Sequence, residues 1–154
     1  GEEGEAWSII SYSLANERVG IPRYELAARV LGDMVQELST RGQFDDPIVR
    51  SRAGSASAAC EAARLLVYRA VDKRARGDSI GPEASMARVA VGEADHAVAD
   101  FGLDFLPETF SGHGFPGHLA HHERAIVTGI AAGAAEIQLG LIARHWLDLP
   151  RETV

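Results

Sequence analysis

Alanine sets the first limit on what this sequence can fold into. The chain of 154 residues contains 25 Ala and only 4 Thr, and aromatic residues make up 6% of it. Alanine is the strongest helix former, and its small side chain lets packed helices approach closely. Apolar residues recur mostly at steps of three to five positions, as on one face of a helix, and no stretch alternates as a strand does. This pattern predicts an all-α protein.

Prolines and glycines divide the helical pattern into four segments. The predicted helices cover residues 6–38 with an interruption at Pro22, 47–76 after an Asp46 cap, 82–106, and 119–147 with a division near 129–133. Proline removes a helical hydrogen bond, so Pro22 predicts a kink or a restart of the helix. Residues 108–117 are too rich in Gly and Pro for a regular element. Short connections predict an up-down four-helix bundle that forms one domain over residues 1–154, with each apolar stripe buried against its neighbours.

The charge balance excludes several classes of partner. The 15 Lys and Arg against 22 Asp and Glu give a formal net charge of −7. Approach to a polyanion such as nucleic acid or an anionic lipid surface therefore begins with repulsion. No apolar run reaches the ~20 residues needed to span a bilayer, and the acidic start lacks the basic region of a signal peptide. We expect a cytoplasmic protein that binds neither nucleic acid nor membrane.

Histidine and cysteine are the residues most easily mistaken for a metal site. His113, His118, His121 and His122 crowd one loop and the start of the last helical segment. A zinc site needs three or four converging ligands, and here no Cys or carboxylate stands at a recognised metal spacing. We therefore predict no metal and solvent-facing or capping histidines. Cys60 lies in a helical run and is predicted to be a small buried thiol.

Glu17 is the carboxylate whose surroundings point to chemistry. On its predicted helix face lie Ile10, Ser13 and Ile21, which are small or apolar. Partial burial raises the pKa of a carboxyl and makes its anion a stronger base, as removal of a weakly acidic C–H proton requires. A salt-bridged or solvent-exposed glutamate explains the same pattern, so the residues alone leave both interpretations open.

Several short motifs, taken together and in order, resemble the C-terminal domain of the acyl-CoA dehydrogenases. They are Gly1-Glu2-Glu3-Gly4 with Trp7, Asn16-Glu17-Arg18, Arg41-Gly42-Gln43-Phe44 with Asp46-Pro47-Ile48, Glu61-Ala62-Ala63-Arg64-Leu65-Leu66 with Tyr68, Gly133-Ala134-Ala135-Glu136-Ile137-Gln138, Ile142-Ala143-Arg144 and Leu149-Pro150-Arg151. The resemblance implies a piece of a three-domain FAD flavoenzyme of fatty acid or sterol metabolism, of which this chain is the last third. The piece alone is then expected to be inactive.

The resemblance also implies a reaction and a base. The family dehydrogenates an acyl-CoA thioester to the 2,3-enoyl-CoA, with a glutamate as the base. In members similar to the isovaleryl and long-chain enzymes that glutamate lies on the first bundle helix, where this chain has Glu17. Ala132 then stands at the alternative base position and leaves room for the carboxylate. Ala132 and Gly133 are implied as substrate contacts through the backbone, which needs no side chain to donate to the thioester carbonyl.

The same resemblance implies FAD contacts and partners. Arg41 and Phe44 match an Arg-x-x-Phe motif that reaches the FAD of a neighbouring subunit, and an Arg fork suits a diphosphate. Ala134 and Glu136 fall where the start of the last helix approaches FAD. The expected partners are an acyl-CoA substrate, an electron-transfer flavoprotein or similar acceptor, and further subunits in a homo- or hetero-oligomer, as a dimer of dimers.

Three departures from the family pattern keep other interpretations open. Ala134 replaces the usual Thr, a Gln-x-x-Gly-Gly signature is absent from residues 97–106, and Glu123-Arg124 reverses the usual Arg-Asp pair. These changes fit a non-catalytic assembly subunit of a heteromeric dehydrogenase, as in the sterol side-chain enzymes, and they equally fit a divergent homomer. A third interpretation keeps the fold and changes the chemistry to that of a flavin oxidase or monooxygenase.

Overall fold

A computed structural model describes residues 2–17, 23–78, 81–110, 116–131 and 133–150, without the side chains of residues 15–17 and 116. Within these ranges the chain is helical and contains no strand. The helices are α1 (Ala6–Glu17), α2 (Arg23–Thr40), α3 (Pro47–Ala75), α4 (Glu83–Phe105), α5 (Pro116–Thr128) and α6 (Ala135–His145), with a 3-10 turn at Pro107–Phe110. The predicted all-α fold is confirmed.

The ends of α3 follow the predicted capping chemistry. Asp46 is the N-cap, and its side chain accepts a hydrogen bond from the Ile48 N–H at 2.7 Å, while Pro47 occupies the first turn. At the other end Gly77 has φ +80°, a conformation that only glycine adopts without strain, and its N–H donates to the Arg74 carbonyl. These caps satisfy backbone groups that a helix end otherwise leaves unpaired.

Helix α4 is the centre of the bundle. It contacts α2, α3, α5 and α6 as well as the 3-10 turn. Ion pairs near its two ends join it to α3: Arg52 pairs with Asp104 at 2.7 Å, and Lys73 pairs with the buried Glu83 at 2.7 Å. Since residues early in α3 meet residues late in α4, and the reverse holds at the other end, these two helices are antiparallel.

Small residues make this central position possible. The buried side chains of α4 are mostly those of alanine and valine, with one large aromatic ring, and they include Ala84, Ala87, Ala90, Val91, Ala94, Val98, Ala99 and Phe101. The core between α2, α3 and α4 is completed by Met34, Leu38 and Leu106, which are fully buried. Short side chains on α4 let its neighbours approach on several sides, while the larger residues fill the remaining space.

Several apolar side chains that we expected to be buried are exposed in this chain. Of the apolar stripe predicted for the first segment, Ile10 on α1 is 47% exposed and Leu26 on α2 is 41% exposed, whereas Leu38 is buried, so the prediction is wrong for the first two and confirmed for Leu38. Trp7, Ile9 and Tyr12 on α1 are exposed as well. The interruption of this segment at Pro22 lies outside the described residues. Other predicted core positions that are exposed are Ile48, Val71, Ile137 and Trp146. Trp146 is half-exposed, and the Arg69 guanidinium lies 5.6 Å from the centre of its ring.

The last segment is divided as predicted, but its first half begins earlier. Helix α5 starts at Pro116 instead of Leu119, which fits the preference of proline for the first turn. The 3-10 turn occupies the start of the stretch predicted to be irregular, and residues 111–115, including His113, lie outside the described ranges. No helix among the residues described is long and apolar enough to cross a membrane.

We predict that Gly102→Ala destabilises the chain, whereas Gly54→Ala does not. A Cβ on Gly102 would lie 2.6 Å from Met34 Cε and 2.9 Å from Phe110 Cζ, and the Met34 side chain is fully buried. Overpacking of this kind costs about 1–3 kcal/mol, which exceeds the gain in helix propensity. Gly54 on α3 has open space around the added methyl group. Urea unfolding of both variants checks the prediction, and an unchanged or higher midpoint for Gly102→Ala would contradict it.

Candidate functional site

Arg41 and Phe44, the predicted contacts to a neighbouring FAD, lie in one tight turn after α2. Gly42 has φ +69°, which reverses the chain, and the N–H groups of Gln43 and Phe44 donate to the Leu38 carbonyl at 2.8 and 3.3 Å. The turn therefore caps the last carbonyls of α2. It also places both predicted residues at the same end of the helix, as the motif requires.

Two carboxylates orient the Arg41 guanidinium. Its Nε donates to Glu37 at 2.7 Å, and one Nη donates to Glu108 of the 3-10 turn. The hydrogen bond to Glu108 raises the pKa of Arg41 most, followed by the hydrogen bond to Glu37, so the guanidinium stays protonated. A guanidinium carries five N–H donors, and these two bonds leave donors for an anion outside the chain.

Phe44 lies at the edge of a groove between α2 and α3. The groove has a volume of about 780 Å³ and is lined by small residues, by larger apolar and aromatic ones, and by a few charged ones. They are Tyr24, Glu25, Ala28, Leu31, Gly32, Val35, Phe44, Arg50, Ala53, Gly54, Ser57, Cys60, Glu61 and Arg64. Glycine, alanine and serine on both helices leave the space that a cleft of this size requires.

The groove walls are fixed by ionic and aromatic contacts. Arg64 donates to Glu61 and lies 5.0 Å from the centre of the Tyr68 ring, which meets Tyr24 edge-on at 6.2 Å. The hydrogen bond from Arg64 lowers the pKa of Glu61. Cys60 is buried, and burial raises the pKa of its thiol to about 11, so the thiolate nucleophile is scarce at neutral pH. The prediction of a buried thiol is confirmed.

The turn between α5 and α6 carries the predicted site positions Gly133 and Ala134, and Glu136 follows in the first turn of α6. Gly133 has φ +103° and Ala134 is the N-cap of α6, with extended backbone and no side-chain cap. The Ala135 N–H closes the turn by donating to the Gly129 carbonyl at 3.0 Å. Glu136 is exposed in the first turn of α6, where its charge complements the helix dipole. A ligand at this helix end would meet backbone N–H groups.

Glu17 is the predicted base, and Ala132 is its partner position at the start of the last helix. Glu17 is the last residue of α1, and its side chain is outside the described part of the chain. Ala132 is also outside it. Their proximity therefore stays a prediction.

Sequence reasoning missed a buried polar network between α4 and α5. Thr128 donates to the Asp95 carboxylate at 3.0 Å, and the Arg124 guanidinium lies 3.8 Å from the same carboxylate. His121 contacts the Asp95 carbonyl at 3.0 Å through Nε2, and Arg124 contacts His121 Nδ1. Asp95, His121 and Thr128 are completely buried. We name these four residues the α4–α5 network.

The partners of His121 fix its protonation. A carbonyl only accepts and a guanidinium only donates, so Nε2 carries the hydrogen and Nδ1 is the acceptor. Burial lowers the pKa of His121, and burial likewise lowers that of His118, which is 1% exposed. Our prediction of solvent-facing or capping histidines is wrong for both. The error arose because we took their helix to be exposed at that end, whereas it packs on α4.

Arg88 and Asp95 carried a sequence signal that we overlooked. They are seven positions apart on α4, and Gly92 lies between them, so all three share one face. Arg88 is 6% exposed, and its guanidinium donates to the backbone carbonyls of Thr128 and Ala131.

Among the residues described, no group of three or more His, Cys, Asp or Glu side chains has an arrangement that could hold a metal ion.

Comparison with known proteins places this geometry in a family. Residues 4–147 match the family model described as acyl-CoA dehydrogenase, C-terminal domain. An acyl-CoA dehydrogenase of Bacillus subtilis (strain 168) is 33% identical over 157 residues, which cover 96% of this chain and 40% of that protein. The first curated relatives are matched over 37 to 40% of their own length, so the chain spans about two fifths of them.

Two solved structures share the fold. The butyryl-CoA dehydrogenase of Megasphaera elsdenii superposes with a TM-score of 0.77 at 26% identity, over 92% of this chain and 38% of that one. A variant of the Tcur3481-Tcur3483 steroid ACAD superposes with a TM-score of 0.84 at 23% identity, over 99% of this chain and 42% of that one. At these identities the similarity concerns the helical architecture above all.

We predict that the chain loses stability as the pH falls from 7 to 5. His118 and His121 have lowered pKa values in the folded state, so below the ordinary value of about 6.5 the unfolded chain takes up protons that the folded chain does not. Each such histidine contributes a slope of at most about 1.4 kcal/mol per pH unit. Chemical denaturation at several pH values measures this slope.

The variant His121→Gln separates this effect from other titrations. Glutamine can donate to the Asp95 carbonyl and accept from Arg124, but it does not titrate. The slope between pH 7 and 5 should therefore decrease in His121→Gln and stay unchanged in His145→Gln, whose side chain is exposed. Equal stability of the parent chain at pH 7 and pH 5 would refute this account of the buried histidines.

Proposed function

Because the chain belongs to the acyl-CoA dehydrogenase C-terminal domain family, we propose that it is the C-terminal helical domain of a longer FAD-dependent acyl-CoA dehydrogenase. The family is FAD-dependent. The observation that carries the proposal is the match over residues 4–147, nearly the whole chain. The share of 37 to 40% of each relative's length supports an enzyme in which other domains precede this bundle.

The proposed reaction forms a double bond next to a thioester carbonyl. A proton leaves the carbon beside the carbonyl as H⁺ and passes to the glutamate base, and a hydride leaves the next carbon. When FAD is bound, its flavin supplies the acceptor for that hydride. The two C–H bonds break and one C=C bond forms, so the acyl-CoA becomes the 2,3-enoyl-CoA without water or another co-reactant. An electron-transfer flavoprotein or similar acceptor then reoxidises the reduced enzyme.

We assign the role of base to Glu17. Its place at the end of α1 corresponds to the base position of the isovaleryl and long-chain type. Surrounding domains would bury the carboxylate in the full-length enzyme, and burial raises the pKa of a carboxyl and strengthens its anion as a base. The methyl side chain of Ala132 then provides the space that a second carboxylate would occupy in the other type.

Substrate contacts are assigned to the turn that opens α6. Backbone N–H groups at Ala132 and Gly133 are proposed to donate to the thioester carbonyl, where negative charge develops as the proton leaves. The conformation of Gly133, with φ +103°, and the unfilled N-cap at Ala134 support this role, because they leave backbone donors at the start of a helix. No side chain is needed for such a contact.

The residues predicted to contact FAD lie after α2 and at the start of α6, and they fit the cofactor to different degrees. Arg41 keeps free N–H donors after its bonds to Glu37 and Glu108, which suits the diphosphate of a neighbouring subunit's FAD. Phe44 follows in the same turn, partly buried against the core, and is proposed to contact the flavin. Glu136 is a carboxylate, so it can accept from a ribose hydroxyl but cannot donate to phosphate. Ala134 lacks the hydroxyl that threonine provides in the family, so any contact there uses the backbone.

A second candidate function is a non-catalytic subunit of a heteromeric acyl-CoA dehydrogenase. It is favoured by Ala134, by the absence of Gln-x-x-Gly-Gly from residues 97–106, and by the structural similarity to a steroid ACAD whose name joins two proteins. Purification of the full-length protein alone and together with a dehydrogenase encoded beside it distinguishes the two functions. Flavin and activity in the protein alone support the catalytic function, and their appearance only in the mixture supports the second.

We predict that Glu17→Gln abolishes reduction of bound flavin by acyl-CoA in the full-length enzyme. Glutamine keeps the shape of the side chain but cannot accept the substrate proton, and loss of a general base typically costs about 10²- to 10⁴-fold in rate. Anaerobic stopped-flow spectroscopy of flavin absorbance measures the step.

Glu3→Gln is the matched control, because Glu3 is an exposed glutamate in the same N-terminal segment. Its flavin should be reduced at the parent rate. Reduction at the parent rate in Glu17→Gln would remove Glu17 from the mechanism. The 154 residues alone should be inactive, because the proposed other domains would be needed to cover the flavin and exclude water from the site.

We also predict that Arg41→Gln weakens FAD binding by the assembled full-length enzyme about 10- to 100-fold, the loss expected for a charge-assisted hydrogen bond. The flavin content after gel filtration and titration of the apoenzyme with FAD measure it. Arg52→Gln is the control, since Arg52 is an exposed arginine that pairs with Asp104 in a similar way. Equal FAD affinity in the two variants would show that Arg41 serves the fold of this chain instead.

A further inference from the structure

Arg88 is a buried cation that bonds to backbone. One Nη of its guanidinium donates to the carbonyls of Thr128 and Ala131, and the side chain is 6% exposed. Removing a guanidinium from water is costly unless its hydrogen bonds are replaced. Here the replacement partners are carbonyls at and just beyond the C-terminal end of α5, where the helix dipole is negative. Arg88 therefore caps α5 from a different helix.

The carbonyl of Ala131 lies inside the α5–α6 turn, so the same guanidinium also holds the turn. Locally the turn is closed by the N–H groups of Ile130 and Ala131, which donate to the Val127 carbonyl, and by the bond from Ala135 to Gly129. Those bonds fix its internal shape. The bond from Arg88 ties this shape to α4, the most deeply packed helix of the bundle.

A small cavity beside Arg88 gives the turn space to move if the bond from Arg88 is lost. The cavity has a volume of about 130 Å³ and is lined by Arg88, Thr128, Gly129, Gly133 and Ala135, with other residues of α4 and α6. It has room for a few water molecules, each with a share of about 30 Å³. Without Arg88, water could bond to the two carbonyls, and the turn could shift into this space without a steric penalty.

We propose that Arg88 is a positioning residue that sets the place of the turn opening α6, and with it the contacts of Gly133, Ala134 and Glu136 to acyl thioester and flavin. The identity of the ligands rests on the proposed function, whereas the restraint of the turn by Arg88 does not depend on it. Arg88 itself touches neither ligand. A displacement of about 1 Å at a reacting group can cost about 10²-fold in rate, so a loosened turn should lower kcat.

The chemistry of the side chain determines the variants. Glutamine at position 88 is shorter and uncharged, and it cannot reach both carbonyls as the guanidinium does. Lysine keeps the charge and several donors on one nitrogen, but it lacks the planar fork. We expect Arg88→Gln to lower kcat about 10- to 100-fold, and Arg88→Lys to lie between this variant and the parent enzyme.

Thr128→Val is the matched control. It removes the buried hydroxyl bond to Asp95, so it weakens the same helix interface, but it keeps the Thr128 carbonyl that Arg88 binds. A merely structural role for Arg88 predicts that Arg88→Gln and Thr128→Val behave alike once their stabilities are matched. A positioning role predicts that Arg88→Gln alone affects the turn.

The experiment combines hydrogen exchange with kinetics on the full-length enzyme. In Arg88→Gln the amides from Gly129 to Ala135 should exchange faster while the rest of α5 keeps its protection, and kcat should fall more than substrate affinity. Thr128→Val should leave the turn amides protected. Unchanged turn exchange in Arg88→Gln, or an equal effect in Thr128→Val, would overturn the proposal. If Arg88→Gln does not fold, Arg88→Lys gives the same comparison.

The two proposals fail in different ways. If the parent enzyme does not reduce its flavin with any acyl-CoA, the proposed function fails, and the exchange of the turn amides still decides the role of Arg88. If the parent enzyme is active and the turn amides of Arg88→Gln are as protected as its own, the function stands and the role of Arg88 is refuted.

Discussion

Helix α4 has neighbours on nearly every side, and this position imposes the main constraint on the bundle. A helix surrounded by α2, α3, α5 and α6 must carry short side chains wherever a neighbour comes close, which explains the run of buried alanines from Ala84 to Ala99. The solvent-facing residues of α4 include Glu93, Asp100 and Asp104, whereas Arg88 and Asp95 lie on the faces that its neighbours cover. Arg88 and Asp95 therefore need hydrogen-bond partners inside the protein, and α5 provides them.

The hydrogen bonds between α4 and α5 fix the axial register of the two helices, which contacts between alanines cannot do. Two helices that pack through small side chains meet similar surfaces at successive turns, so apolar packing alone specifies their axial register weakly. Hydrogen bonds from Arg88 to the end of α5, from Thr128 to Asp95, and from His96 to the Ala125 carbonyl at 2.8 Å are each satisfied in a single register. We infer that these three hydrogen bonds give specificity more than net stability, since the cost of burying charged groups offsets much of what the bonds contribute.

The sequence predicted what local chemistry decides. The Asp46 cap with Pro47, the end of α3 at Gly77 and the division of the last segment near Gly129 follow from backbone preferences of single residues, and the structure confirms them. The burial of His118 and His121 was not predictable in this way, because it depends on which helix packs against them.

Helix α4 shows the same limit. Its polar residues are divided between an exposed stripe, with Glu93, His96 and Asp100, and buried positions such as Arg88 and Asp95, and the packing of α5 against α4 decides which of them are buried. The site was predictable only to the same degree. Arg41 and Phe44 share a turn as their motif requires, because four consecutive residues fix that relation locally. The relation between Glu17 and the turn opening α6 depends instead on the packing of helices distant in sequence, and it stays a prediction.

The departures from the family pattern bear on side chains more than on the backbone of the proposed site. Replacement of threonine by Ala134 removes a hydroxyl, but the extended N-cap and the positive φ of Gly133 still present helix N–H groups at that end of α6. A contact made by backbone donors depends on where the turn is held. In this chain that position is tied to α4 through Arg88. Whether this subunit is catalytic therefore depends less on the lost hydroxyl than on the position of the turn. The turn must be held where its N–H groups can contact a thioester carbonyl.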